Sequence, residues 1–363
     1  MSMPDSNIQI QSISYGGEIE NEESIPKYID PIKIQDTELT RDILSFCGSE
    51  AYQKIYEACK DQRDIMFEQI NKEGLILKNT QHKSGNFFIK KILDCNDDDK
   101  DKEKHKIIYK ALIEHIKELS SVKESTYIIQ KLINDVVEDN DLDEIANKLG
   151  VFTDIEYFID NENSNHVIQC LIKRQKKEAN DKIFENINNF VKVANDKYGC
   201  YIIKAILNNC TDNCYYSILK KICENIVSLC KDNANYIFQY FFENEDKDKD
   251  KKLDIIYQAL KGNIYELSKE KKAVFVVKEA LKLGNENQRK DIINELLELN
   301  KDKEDPLISL AKNQYGNYVI QDLLDYCEPE TLKIIIKRIY SEPNIKKDKF
   351  GKYVCKKIKE INN

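Results

Sequence analysis

One short string recurs along the chain at nearly constant spacing, and this repetition limits the possible folds more than any other feature. Its clearest form is NQYGNYVIQDLL at 313–324, in which a small residue precedes an Asn, an aromatic residue, two β-branched residues and a Gln. A period of about 35–40 residues is typical of a solenoid built from helical repeats. Nine copies occur, at 47–58, 83–93, 123–133, 162–172, 197–207, 232–242, 271–281, 314–324 and 349–358.

Each copy is numbered here from the residue after the small Gly, Ser or Ala, which is called position one. Positions three and four are apolar in almost every copy, so we expect them in the core. Positions one and five lie about one helical turn apart and share a side of the helix, with position two beside them. Along the chain, position one is Ser49, Asn86, Thr126, Asn165, Cys200, Asn235, Val274, Asn317 and Lys352.

Between the copies lies a second stretch whose apolar residues recur every three or four positions, as in an amphipathic helix. Examples are 104–119, 180–194 and 215–229. Each unit is therefore predicted to be a pair of helices, and the fold class to be all-α. The Asp/Lys tracts at 94–104 and 243–252 are interpreted as solvated insertions between units.

The charge is unevenly distributed. The formal net charge is −8, but residues 1–40 hold eight acidic and two basic side chains, which leaves about −2 for the rest. Residues 1–36 also contain three of the six prolines and are predicted to form a loosely ordered acidic tail. A nearly neutral body can still carry a basic face, so a nucleic-acid partner stays possible.

Several classes of protein are not expected. No run of 18 apolar residues predicts a membrane span, and the N-terminus lacks the pattern of a secretory signal. The eleven scattered cysteines favour reduced thiols in an intracellular protein over a disulfide framework.

Catalytic and metal sites are not expected either. Common phosphate-loop, nucleophile-elbow and zinc-protease motifs do not occur in the sequence, which has only four histidines. We therefore predict no enzyme activity, no cofactor and no metal. The one cysteine group considered for zinc lacks a CxxC pair and partly follows an apolar helical pattern; it consists of Cys210, Cys214, Cys223 and Cys230.

The polar side of the string favours a linear partner with a repeating unit. Asn165, His166 and Gln169 occupy positions one, two and five of the fourth copy, and similar triads recur in the sixth and eighth copies. Amides can donate to and accept from base edges, and rings can stack on bases. A single-stranded nucleic acid is the partner that fits this ladder best.

The strings GNYVIQ and NHVIQ at this period resemble the repeats of the PUF (Pumilio-homology) family, over roughly residues 37–363. The resemblance implies a right-handed, crescent-shaped solenoid of eight three-helix repeats followed by a C-terminal half-repeat, to which Lys352 would belong. It also implies a monomeric, cytoplasmic protein that binds single-stranded RNA in the 3′ untranslated regions of messages. Repression or decay factors would bind the outer face.

In that family, positions one and five contact the base edge, position two stacks, and the last repeat takes the 5′ base. Asn with Gln is associated with uracil, Cys or Ser with Gln with adenine, and Ser with Glu with guanine. The implied base-edge residues are Asn317, Gln321, Lys278, Asn235, Gln239, Cys200, Lys204, Asn165, Gln169, Thr126, Gln130, Asn86, Lys90, Ser49 and Gln53. The implied stacking residues are Tyr318, Phe275, Tyr236, Tyr201, His166, Tyr127 and Phe87.

Read copy by copy, these residues predict the sequence U-x-U-x-U-A-x-A. It agrees with the element that the family favours, UGUA followed by an A/U-rich half, as in UGUAUAUA. Copies two, five and seven depart from the family pattern because position five is Lys90, Lys204 or Lys278. A lysine only donates, so Lys278 is hypothesised to contact O6 and N7 of guanine, or else a phosphate. Glu50 at position two of copy one cannot stack.

Two other functions stay open at this point. A HEAT- or armadillo-type scaffold would bind protein, although a protein groove gives no reason to repeat one triad. A nucleolar PUF relative would bind ribosomal RNA with little sequence preference, and the three lysines at position five are compatible with that alternative.

Overall fold

The computed structural model describes residues 46–72, 74–243, 248–299 and 304–362, without the side chains of 46–48 and 362. Regular structure in these ranges is entirely helical, as the sequence predicts. None of the helices described here has both the length and the apolar character of a membrane span. The predicted tail, residues 1–36, and part of the predicted insertion at 243–252 lie outside the described residues.

Each copy of the string forms one helix, and we call these nine helices the string helices. Positions three and four are buried in almost all of them, and each string helix packs against the string helix of the next copy. The result is a solenoid with a continuous core. The string helices are Phe46–Ala58, Gly85–Asp94, Lys123–Lys131, Ser164–Arg174, Gly199–Asn208, Asn235–Glu243, Ala273–Leu283, Gly316–Tyr326 and Gly351–Asn362.

Two further helical segments follow each of the first eight string helices. The longer ones are Arg63–Ile70, Asp99–Leu112, Leu142–Leu149, Lys177–Glu185, Asp212–Glu224, Lys249–Leu260, Glu286–Leu297 and Pro329–Ser341. The shorter ones are Leu75–Thr80, Ile116–Ser121, Glu156–Ile159, Phe190–Asn195, Ile226–Leu229, Ile264–Ser268, Pro306–Ala311 and the 3-10 turn Ile345–Lys347. Short 3-10 or π turns occur at Lys60–Gln62, Ile113–His115, Leu132–Val136 and Asp139–Asp141.

The prediction of two helices per unit is therefore wrong, because the second apolar stretch is broken. In 180–194 the break falls between Lys177–Glu185 and Phe190–Asn195. The side chain of Asn189 caps the second segment by accepting a hydrogen bond from the Lys192 amide. Both segments bury apolar side chains, so the three-and-four spacing continues across the break and hides it in the sequence.

The small residue before position one is required by close packing. A Cβ added to Gly199 would collide with the carbonyl oxygen of Val193, in the preceding short helix. Gly316 and Gly351 lie similarly close to Leu310 and Ile345. Each of these string helices thus begins directly against the helix before it, which fixes the spacing between units.

Polar pairs between neighbouring string helices add a second constraint on their alignment. They join position six of one copy to position nine of the copy before it. Pairs with a solvent-exposed member contribute little individually to stability, but as a set they favour one register. The pairs are Lys91 Nζ–Glu57 Oε2 at 2.9 Å, Lys131 Nζ–Asp94 Oδ1 at 3.1 Å, Cys170 Sγ–Asn134 Oδ1 at 3.0 Å and Lys357 Nζ–Asp325 Oδ1 at 2.7 Å.

Most of the Asp/Lys tract at 94–104 is exposed to solvent, as predicted, but the tract is also folded and anchored to the rest of its unit. Arg63 Nη1 lies 2.7 Å from Asp97 Oδ2 and 3.1 Å from Asp101 Oδ2, and both Arg63 and Asp101 are buried. The Asp98 side chain caps the helix that follows. The tract is folded because its charges have partners elsewhere in the unit, which composition alone does not reveal.

We expect Gly199→Ala to lower the free energy of unfolding by about 1–3 kcal/mol, because the added methyl group must displace the Val193 backbone. Urea unfolding followed by circular dichroism measures this. Lys83→Ala, at an exposed site at the start of copy two, is the control and should change stability by less than about 0.5 kcal/mol. Equal stability of both variants would contradict the close-packing explanation.

Candidate nucleic-acid interface

Positions one, two and five of the string helices form one surface, which we call the string face. Its most exposed members are the rings at position two. Six of them are 41–53% exposed, whereas positions three and four beside them are buried. Rings with nearly half of their surface in solvent do not serve the core. These six are Phe87, Tyr127, Tyr201, Tyr236, Tyr318 and Tyr353, and His166 in the same column is also exposed.

Copy seven is the exception in this column. The Phe275 ring is half-buried and so less exposed than the other rings of the column. It packs edge-on against Phe242, with the two ring centroids 6.5 Å apart. Position one of this copy is the buried, apolar Val274. Copy seven therefore offers a ligand less aromatic surface and no polar group at position one.

In copies one to eight the side chains at position one are buried or half-buried, and several of them are held by the backbone of the preceding turn. Asn317 Nδ2 donates to the Asn313 carbonyl at 2.9 Å, and Asn86 Nδ2 donates to the His82 carbonyl at 2.7 Å. Thr126 Oγ1 donates to a backbone carbonyl in the same way. Position one thus forms a fixed floor between the more accessible positions two and five.

Glutamine at position five is linked to position one. Gln169 Nε2 donates to Asn165 Oδ1 and Gln321 Nε2 donates to Asn317 Oδ1, both at 2.9 Å. Gln169 therefore keeps one amide hydrogen for a ligand, whereas Gln321 Nε2 also donates to the Asn317 backbone carbonyl at 3.2 Å. Both carboxamides keep a carbonyl acceptor for a ligand. In copy one, Gln53 Nε2 bonds Ser49 Oγ at 3.3 Å in a similar arrangement. Gln130 and Gln239 are half-buried at the same position.

Lysine at position five reaches the ring of the next copy. Lys90 Nζ lies 4.1 Å from the centroid of Tyr127, and Lys278 Nζ lies 5.5 Å from that of Tyr318. Position five of one copy and position two of the next therefore border a common space, which we call a slot. Lys204 is half-buried and meets neither a carboxylate nor a ring within the part of the chain that the structure describes.

Two further site residues have distinct environments. Burial raises the pKa of the Cys200 thiol to about 11, so this thiol is a neutral, protonated group at pH 7. Glu50 is exposed and forms an ion pair with Lys54 at 2.8 Å. Copy one thus presents a charged pair where most other copies present a ring.

A row of lysines follows one edge of the string face and is not among the site residues predicted from the sequence. All five are exposed and stand three residues before position one, at the N-terminal ends of the string helices. The partial positive charge of those helix ends adds to the lysine charges. The sequence does carry a signal, because five of the nine strings open with Lys; the residues are Lys83, Lys123, Lys197, Lys271 and Lys349.

The cysteines form one cluster that could contact a metal, away from the string face. Asp181, Cys210 and Cys214 place their ligand atoms within 4.8 Å of one another. Both carboxylate oxygens of Asp181 already accept hydrogen bonds from Thr211, at 3.0 and 2.6 Å. Three ligand groups, one of them already occupied by hydrogen bonds from Thr211, are a poor match to the four ligands of a structural zinc site.

Comparison with known proteins supports the same architecture. A family model described as a Pumilio-family RNA binding repeat matches residues 80–102, 161–187, 189–223, 263–297 and 307–340. Pumilio homolog 12 of Arabidopsis thaliana is 27% identical over 84% of this chain and 52% of its own length. Suppressor protein MPT5 of Saccharomyces cerevisiae is 26% identical over 72% of this chain and 33% of its own length. The chain therefore spans about half or less of these relatives.

Solved structures share the fold. PUF-8 in complex with PBE-RNA superposes with a TM-score of 0.73 at 17% identity, covering 92% of this chain and 96% of that one. The RNA-binding domain of yeast Puf5p bound to MFA2 RNA gives 0.72 at 22% identity, with 92% and 98% covered. With the repeated family match, the related sequences and the solenoid in agreement, this chain belongs to the Pumilio family of RNA-binding repeat proteins.

Proposed function

We propose that the string face binds single-stranded RNA, with one base for each slot. The observation that carries this proposal is the row of exposed rings, present in every copy except one and seven, beside carboxamides held in a fixed orientation. Rings stack on bases of any kind, while donors and acceptors on a fixed frame select among base edges. A protein ligand would give no reason for this regular alternation.

Charge supports an RNA partner over a protein scaffold role. Five exposed lysines along the N-terminal edge outnumber the two exposed acidic residues of the same column, Glu162 and Asp232, so this edge carries a net positive charge. Such a stripe attracts a phosphate backbone. Among the structural neighbours, Puf4 is bound to an HO endonuclease RNA 3′ UTR recognition sequence and Puf5p to MFA2 RNA.

The side chains support the preference U-x-U-x-U-A-x-A, read 5′ to 3′ from copy eight to copy one. Asn with Gln in copies eight, six and four selects uracil at the first, third and fifth bases. Thr126 with Gln130 and Ser49 with Gln53 select adenine at the sixth and eighth bases. Lys278 contacts the second base, which we propose is guanine. Cys200 with Lys204 and Asn86 with Lys90 carry weaker preferences.

The proposed role is regulation of messages through their 3′ untranslated regions, by binding rather than catalysis. Repression or decay factors would bind the opposite face, and the protein would act in the cytoplasm. The lysines at position five favour one alternative, in which backbone contacts dominate and sequence preference is weak, as for a relative that binds ribosomal RNA.

The test is fluorescence anisotropy with labelled UGUAUAUA at a fixed, stated salt concentration, with ACAAUAUA as competitor. We expect UGUAUAUA to bind at least tenfold more tightly, since each mismatched base contact costs on the order of 1–3 kcal/mol. Equal binding of the two RNAs would support the backbone-dominated alternative. Failure to bind either RNA would contradict the proposal and favour a protein scaffold.

Removing a stacking ring should weaken binding without unfolding the protein. We expect Tyr236→Ala and Tyr318→Ala each to cost about 1–3 kcal/mol of binding free energy, because each ring stacks on a base. Tyr340→Ala removes a ring of similar exposure, 36%, from the helix Pro329–Ser341 and should leave RNA affinity unchanged. Unchanged affinity in the first two variants would contradict the assignment of the string face.

The lysine row should contribute to binding through phosphates. The logarithm of the RNA association constant falls linearly with the logarithm of the salt concentration. Replacing Lys123 and Lys271 with Gln should make this slope shallower by about 0.7 for each phosphate contact that is lost. Preference for UGUAUAUA over ACAAUAUA should persist, because phosphate contacts carry no sequence information. The control is Lys333→Gln, an exposed lysine on the helix Pro329–Ser341. A slope that matches the wild-type value would show that the row does not contact RNA.

A further inference from the structure

The slot between copies seven and eight differs from the others in its polar groups. Asp322 follows Tyr318 by four residues on the same helix, so the two side chains share one side of it. Lys278 Nζ lies 3.4 Å from Asp322 Oδ2 while it also lies over the Tyr318 ring. A cation, a carboxylate and a ring therefore meet in this slot, contributed by two different copies.

This combination is particular to one slot. Position six, which Asp322 occupies in copy eight, is a lysine in copies one, two, three and nine, and Cys170, Ala205 and Tyr240 in copies four to six. Glu279 at position six of copy seven adjoins a slot whose position five is Gln239, not a lysine. The Lys–carboxylate pair is thus confined to the slot that, under the proposed function, takes the second base.

We propose that Asp322 is a specificity-determining residue and that, with Lys278, it selects guanine by its Watson–Crick edge. Lys278 donates to O6, and the Asp322 carboxylate accepts from N1–H and from the exocyclic N2 amino group. Lysine provides only donors and a carboxylate only acceptors, so the pair supplies both polarities that a copy with Val274 at position one otherwise lacks. The inference rests on the proposed RNA binding.

The other bases fit this pair less well. Adenine presents its N6 amino donors to Lys278 and its N1 acceptor to Asp322, so both contacts are mismatched. Cytosine is mismatched in the same way, because it presents its N4 amino donors to Lys278 and its N3 acceptor to Asp322. Uracil matches at O4 and N3–H, but its O2 acceptor would face the second carboxylate oxygen. When a donor faces a donor, or an acceptor faces an acceptor, in a partly enclosed slot, both polar groups lose water without gaining a hydrogen bond, which is unfavourable.

The slot is accessible enough to take a base and enclosed enough to discriminate. The side chains of Lys278 and Asp322 are 35% and 36% exposed. Water is therefore partly excluded from the pair, while one side stays open to a ligand. Because the ammonium group of Lys278 lies over the Tyr318 ring, it must move aside when a base stacks there, and the base then lies within reach of both Lys278 and Asp322.

The test compares UGUAUAUA with RNAs in which the second base is inosine, adenine, uracil or cytosine, by fluorescence anisotropy. Inosine lacks only the N2 amino group that is proposed to donate to Asp322. Wild-type protein should bind the guanine RNA about tenfold more tightly than the inosine RNA, the effect of one charge-assisted hydrogen bond. Asp322→Ala should abolish this difference, and Lys278→Gln should keep it while weakening guanine binding.

The control is Asp325→Ala, which removes a carboxylate from the same helix that is paired with Lys357 instead. It should retain the guanine-to-inosine difference, and melting temperatures verify that all variants are folded. If Asp322→Ala lowers affinity for every RNA equally and keeps the difference, or if wild-type protein shows no difference, the inference is wrong although RNA binding stands. If wild-type protein binds none of the RNAs, the proposed function fails as well.

Discussion

The close contact between each string helix and its predecessor is the constraint on which the rest of the structure depends. Where position one is preceded by glycine, the helix begins against the last turn of the helix before it, with no room for a side chain. Positions three and four then enter the core, and the opposite residues must face outward. The regular row of rings and amides follows from this packing, because a small residue at this point and the contact of each string helix with the next give the copies the same orientation.

That same geometry makes neighbouring copies share each slot. Position five of one copy lies beside position two of the next, as the contacts of Lys90 with Tyr127 and Lys278 with Tyr318 demonstrate. A substitution in one copy therefore changes the environment of the ring in the following copy. Under the proposed function, base preference would therefore be a property of pairs of copies, with Asp322 of copy eight contributing to the slot of copy seven.

Much of this arrangement is predictable from the sequence, because periodic strings report directly on which residues share a helix face. Spacing alone places Tyr236 and Tyr318 in an exposed column, and they are exposed. The break at Asn189 is not predictable in this way, because both segments keep the same apolar spacing. The folded tract around Asp101 depends on Arg63, a partner that is distant in sequence. The contact between Lys278 and Asp322 also joins residues of neighbouring copies, and aligning the copies with one another does not reveal contacts between them.

The central claim is that each copy of the string recognises one base, in an antiparallel register. The most direct measurement changes the base-edge pair in one copy, Asn165→Ser with Gln169→Glu, to the combination associated with guanine. Affinities for UGUAUAUA and UGUAGAUA are then compared with those of the wild-type protein. We predict that the variant prefers guanine at the fifth base and keeps its preferences elsewhere. An unchanged preference, or a change at a different base, would contradict the claim.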